Sequence, residues 1–163
     1  CGGWTLGDLL DHMGDGLDAF TEASSGVIDV DVVPPVGTPV HVLREKACAL
    51  LGAWSAPAPG AARLADARME STLLLHSGAL EITVHGWDVA QATGMGTPIP
   101  RALAADLMPG ARALVAPADR GVRFADPVET SCGEPDDVLL LGFLGRSLDW
   151  ASTHGAGGTN PVT

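Results

Sequence analysis

A carboxylate and an imidazole stand four residues apart in Glu81-Ile-Thr-Val-His85-Gly-Trp87-Asp88, within a run of helical periodicity. At that spacing the two side chains share one face of a helix. The same face carries Leu74, Gly78, Val89 and Ala92, so two strong metal-ligand types lie inside an apolar stripe. Burying a carboxylate without a partner is costly, and a helix that turns one inward must supply that partner. A metal ion completed by a third residue would do so. The competing reading is an ordinary pair along one helix, in which Glu81 and His85 satisfy each other for about 0.2–0.5 kcal/mol. Asp88 falls in the same sector, one turn beyond His85, and either orients a ligand imidazole from behind or forms a surface salt bridge. His12 sits beside the apolar stripe of its own helix, next to the small Gly16. From there it can reach sideways into a groove between helices. Gly78 is expected to leave room for a ligand above the Glu81 carboxylate.

Helices must position these groups. Trp4-Thr5-Leu6-Gly7-Asp8-Leu9 has the marks of a helix start, with Thr5 as N-cap, Asp8 closing a capping box and Trp4 able to staple onto Leu9. Leu6, Leu9, Leu10, Met13, Leu17 and Phe20 then recur at three- and four-residue steps, as on a core-facing helix that fades near Ser24-Ser25-Gly26. A second helix is expected from about Val40 to Trp54, with Val40, Leu43, Ala47, Leu50, Leu51 and Trp54 on one side. The third and longest runs from Arg63 or Met69 to Thr93, and Gly94 stops it. A fourth spans Arg101 to Val115, with a bend at Pro109-Gly110, and a last one Asp136 to about Ala151. Helices without alternating apolar strands imply an all-α bundle. Residues 1–152 are read as one metal-binding domain and 153–163 as a flexible glycine-rich tail.

Composition narrows the function classes. Hydrophobic residues make up 46% of the 163-residue chain and charged residues 18%, as in a globular domain with a core. Twenty acids against nine bases give a net charge of -11, which opposes binding to nucleic acid or anionic lipid. No apolar run is long enough to span a bilayer and no signal peptide is visible, so the cytoplasm is the expected compartment. Cys1, Cys48 and Cys132 are odd in number and form no Cys-x-x-Cys pair, which argues against a disulfide framework or a thiolate zinc site. Cys48, among Ala47, Leu50 and Leu51, reads as a buried and inert thiol. Trp54, Trp87 and Trp150 read as core anchors, His41 and His76 as ordinary, and His154 as a stray ligand candidate in the tail. Gly94-Met95-Gly96 follows a helix rather than a strand, so it is no phosphate loop.

Three blocks in order carry a resemblance. Cys1-x-x-Trp4-Thr5-x-x-Asp8-Leu9-Leu10-x-His12 is the first. Glu81-x-x-x-His85-x-Trp87-Asp88-x-Ala90-x-Ala92-Thr93-Gly94 follows, and then Phe124-Ala-Asp-Pro127-Val128 with Leu140-Leu141-x-Phe143-Leu144-Gly145-Arg146-x-x-x-Trp150. Together these resemble the DinB/YfiT-like metalloproteins, and more closely the actinobacterial branch around mycothiol-dependent maleylpyruvate isomerase. The resemblance implies a four-helix bundle; since nothing precedes Cys1, the family's first helix is expected to be missing or replaced by a neighbour, which favours a homodimer. It also implies His12, Glu81 and His85 as metal ligands. Two imidazoles and a carboxylate with a vacant position match a catalytic zinc site, with iron or nickel as other candidates. The isomerase's separate C-terminal domain is not expected here. Arg44, Arg63 and Arg68 are the candidates for its substrate-carboxylate anchor.

The activity so implied is a metal-dependent thiol transferase or isomerase. A thiol, with an ordinary pKa near ~8.5, is deprotonated on coordination to Zn²⁺. Mycothiol activated in this way would attack an electrophilic small molecule. Two other readings stand beside it: a thiol-independent metal-dependent hydrolase or cyclase, and a non-catalytic bundle whose ion staples helices.

Overall fold

The computed structural model describes residues 4–29, 36–57 and 59–147. Cys1, Trp150, His154 and the glycine-rich tail lie outside them, as does the last stretch expected of the final helix. The chain is mostly helical and divides into two compact units, Cys1–His85 and Gly86–Thr163. No helix among the described residues is long and apolar enough to cross a membrane.

The first unit opens with α1, Leu6–Ala23. The expected capping box is present: the Asp8 amide donates to Thr5 Oγ1 at 3.2 Å, and the Thr5 amide donates to the Asp8 carboxylate at 2.8 Å. These bonds satisfy amides that a helix start otherwise leaves bare. Leu9 and Leu17 are buried, as the periodicity required. Helix α2, Pro39–Ala53, packs on α1 through Leu43 and Lys46, both of which lie against Gly14. Lys46 is also held by Asp18 at 2.5 Å. No residue of α2 is fully buried, and Val40 and Leu51 are exposed, so the expected apolar side is narrower than read. Cys48 is exposed too, which corrects its reading as a buried thiol. Its position is one residue off the half-buried Leu43, Ala47, Leu50 and Trp54 line.

A second correction concerns residues 61–70. Where the long helix was expected to begin, β1 (Ala61–Leu64) and β2 (Ala67–Glu70) form an antiparallel hairpin, so the chain is not wholly α. Residues 26–28 lie alongside: the Arg63 amide donates to the Gly26 carbonyl at 3.0 Å and the Ile28 amide to the Arg63 carbonyl at 2.8 Å. Ala62 thereby joins Ala23 and Leu74 in a buried cluster covered by Phe20, Ile28 and Trp54. Trp54 is anchored there by its indole N–H, which donates to the Phe20 carbonyl at 2.8 Å. Helix α3, Ser71–Ala92, starts only after the hairpin, and the Ser71 hydroxyl ties that start to the Pro59 carbonyl. Its residues 71–85 belong to the first unit.

In the second unit α3 ends at Gly94, as expected. The Gly94 amide donates to Gln91 and the Met95 amide to Ala90, the pattern of a left-handed C-terminal cap. Helix α4, Arg101–Leu114, continues through Pro109 and buries Ala104, Leu107, Gly110 and Ala111. A 3-10 turn at Pro117–Asp119 leads into an irregular stretch. Helix α5, Asp136–Phe143, buries Leu140 and Leu141 and is shorter than expected. It stops at Gly145, in the left-handed region at φ +78°, where a Cβ would meet the Ala125 Cβ at 2.7 Å.

Candidate metal centre

Helices α1 and α3 bring His12, Glu81 and His85 together. The His85 Nε2 lies 3.0 Å from the Glu81 Oε2, and the His12 Nε2 lies 3.6 Å from the same oxygen. One donor atom from each residue falls within 4.8 Å of the other two. The spacing on α3 sets the first contact, since residues four apart stack on one face. His12 is delivered by α1, and its ring meets that of His85 edge-on at 5.0 Å between centroids. The His85 side chain is 9% exposed, against 42% for His12 and 39% for Glu81, so the cluster is rooted in the interior at His85 and open to solvent at His12 and Glu81.

The hydrogen bond with His85 holds the Glu81 carboxyl below the usual carboxylate range. Burial pushes the other way, and the nearby charges of His85 and His12 add to the lowering. Glu81 is thus kept as an anion, the state a metal requires of it. Donor atoms about 2.0–2.2 Å from a tetrahedral ion sit about 3.4 Å from one another, close to the 3.0 and 3.6 Å from the Glu81 oxygen to the two imidazoles, while the two imidazoles offer donors within 4.8 Å of each other. Two neutral imidazoles and one carboxylate also leave a divalent ion with net positive charge, which favours an anionic fourth partner. The residues fit such an ion, and among the described residues no fourth His, Cys, Asp or Glu joins the group.

Gly78 does not leave the space expected of it. The Phe20 ring fills it, with ring carbons 3.3 Å from where a Cβ would stand. Asp88 lies in the second unit, where Arg146 binds both its oxygens, at 2.9 and 2.7 Å. Arg146 was matched in the sequence only as part of a block, and no spacing signal linked it to a residue 58 positions away. Trp4 was read as a staple for Leu9; its indole lies edge-on to His12, with centroids 5.0 Å apart and planes at 64°. Among the candidate anchors, Arg68 pairs with Glu70, Arg63 is a strand residue and Arg44 is exposed on α2. His41 pairs with Glu45, and His76 is bonded to the Thr72 carbonyl.

No protein-family model matches the chain, and no solved structure matches it. Its relatives include the uncharacterized protein Rv0738 of Mycobacterium tuberculosis strain ATCC 25618 / H37Rv and the uncharacterized protein MT0763 of strain CDC 1551 / Oshkosh. The chain is 29% identical to each over 154 residues, which cover 91% of this chain and 82% of each relative. Neither name assigns an activity.

Proposed function

We propose that the chain is a DinB/YfiT-like metalloenzyme in which His12, Glu81 and His85 hold a divalent ion, zinc first, and that it works as a thiol transferase or isomerase. One observation carries the reading: two imidazoles and one carboxylate, from two separate helices, converge within 4.8 Å with one side left open. A closed structural site would draw on four protein ligands.

When bound, the ion supplies Lewis acidity, which keeps a coordinated thiol deprotonated near neutral pH. The chain's own residues do the rest. Glu81, kept ionised above all by its hydrogen bond with His85, would be the anionic donor to the ion. His85, nearly buried, fixes the inner wall. The exposed side of His12 is where a thiol and its electrophilic acceptor would enter. Mycothiol is the thiol by resemblance alone.

The test is elemental analysis of the purified protein together with thiol consumption. Stoichiometric metal, lost in His85→Ala, and conjugate formation from mycothiol and a panel of activated alkenes would bear out the reading. Metal binding with turnover that ignores added thiol would move the assignment to a hydrolase or cyclase. Absence of metal binding at this site would overturn it.

A further inference from the structure

We propose that Trp4 is a positioning residue for His12, its indole setting the plane of the imidazole and hence the metal affinity of the site. The proposal rests on the metal reading above. Two of the three donors need no help: Glu81 and His85 sit one turn apart on one helix, already 3.0 Å from each other. His12 is different. It comes from another helix, its side chain is 42% exposed, and it stands 3.6 Å from Glu81. A long exposed reach loses rotamer freedom on binding unless something else holds the ring.

Ligand histidines usually owe their orientation to a carboxylate or carbonyl on the second ring nitrogen. Among the described residues the polar and ring partners of His12 are Glu81, His85 and Trp4, and of these Trp4 alone stands outside the donor set. Its edge-on contact at 5.0 Å and 64° is a favoured aromatic geometry. The local fold makes this contact possible. Helical side chains lean toward the helix start, so His12 points back along α1. Trp4 stands just before the Thr5 N-cap, and the bonds between Thr5 and Asp8 pin the backbone beside it. The capping box thus presents the indole to a ligand imidazole further along the helix.

The experiment is a Co²⁺ titration of metal-free protein, read by visible absorption, for wild type, Trp4→Ala, Trp4→Phe, His12→Ala and His85→Ala. Trp4→Ala is expected to weaken Co²⁺ binding about ten-fold, the lower end for loss of an orienting partner, and to alter the absorption bands. Trp4→Phe should restore both affinity and spectrum. A helix-start defect would lower the thermal midpoint in Trp4→Ala without changing the spectrum of the bound ion, and that result overturns the proposal. So does wild-type affinity in Trp4→Ala when His12→Ala is weak. Failure of wild type to bind Co²⁺, or indifference to His12→Ala and His85→Ala, instead sinks the metal reading on which the proposal stands.

Discussion

Arg146 grips Asp88 with two parallel hydrogen bonds, Nε to Oδ1 at 2.9 Å and Nη2 to Oδ2 at 2.7 Å, and both side chains are less than one-fifth exposed. A planar guanidinium matched to both carboxylate oxygens is the strong form of an ion pair. Removing one partner strands the other charge in poor solvent. Arg146→Ala and Asp88→Ala are each expected to cost about 3 kcal/mol. The double substitution should cost clearly less than the sum. Urea unfolding of the three variants measures this coupling; additive losses would show that the pair is not cooperative.

Two glycines separate backbone strain from crowding. Gly94 and Gly145 both end helices in the left-handed region, at φ +71° and +78°. Around Gly94 a Cβ would meet open space, whereas at Gly145 it would strike Ala125 at 2.7 Å and its carbonyl oxygen at 2.9 Å. Gly94→Ala should therefore cost only the left-handed penalty, about 1 kcal/mol. Gly145→Ala carries that penalty plus an overlap that the backbone cannot relieve, adding about 1–3 kcal/mol. Similar denaturant midpoints for the two variants would refute the distinction.

The same contrast explains what the sequence made legible. Gly94 closes a strongly periodic helix and is followed by Gly96 and Pro98, so the stop was readable from local chemistry. Gly145 ends α5 with the same left-handed cap, its amide donating to the Gly142 carbonyl and the Arg146 amide to the Leu141 carbonyl, but it lies inside a Leu-rich run that reads on as helix. Gly78 misled for a related reason: its smallness suggested space for a ligand, while the space belongs to Phe20. Glu81 and His85 share a face by a four-residue step, which is a local rule, whereas His12 was linked to them only through the resemblance, because its approach from α1 is a tertiary contact. Arg146 and the aromatic partner of His12 depend on packing, which spacing does not record.

The hairpin at 61–70 was missed because its turn lacks the usual signal. Ala65 adopts φ +51°, where Asn or Gly is the customary occupant, and the flanking Ala, Arg and Leu favour helices. A residue with a Cβ pays about 1–2 kcal/mol for that conformation. Ala65→Gly is thus expected to stabilise the protein by about 0.5–1 kcal/mol after the added chain entropy of glycine. A lower thermal midpoint in the variant would mean that the Ala65 methyl contributes something beyond strain.

Acid should loosen the start of α1. Hydrogen bonds from the Thr5 side chain and backbone hold the Asp8 carboxyl below the usual aspartate range. A group whose folded value is lowered stabilises the fold fully above its unfolded pKa, about 3.9, and loses that contribution as pH falls through the folded value. The stability gap between wild type and Asp8→Asn should be constant from neutral pH to about pH 5 and shrink below pH 4. A gap that instead opens on acidification would reverse the assigned sign. Thr5→Ala removes the hydroxyl from the cap and should cost about 1 kcal/mol.

Metal binding must appear as stability if the three donors act together. An ion that binds only the folded chain adds about 2.7 kcal/mol at a free concentration one hundred times its dissociation constant. The site draws on α1 and α3, so this linkage should tie the two helices and raise the thermal midpoint of wild type. His12→Ala leaves the α3 pair intact and should keep a reduced shift, since Glu81 and His85 alone still offer two donors 3.0 Å apart. Glu81→Gln removes the anion yet preserves the shape, and it should abolish most of the shift, because the carboxylate oxygen is shared by both imidazoles. Thermal unfolding with and without Zn²⁺ ranks the three. Should Glu81→Gln respond to zinc as strongly as wild type, the carboxylate would not be a ligand, and the cluster would reduce to a carboxylate flanked by two histidines.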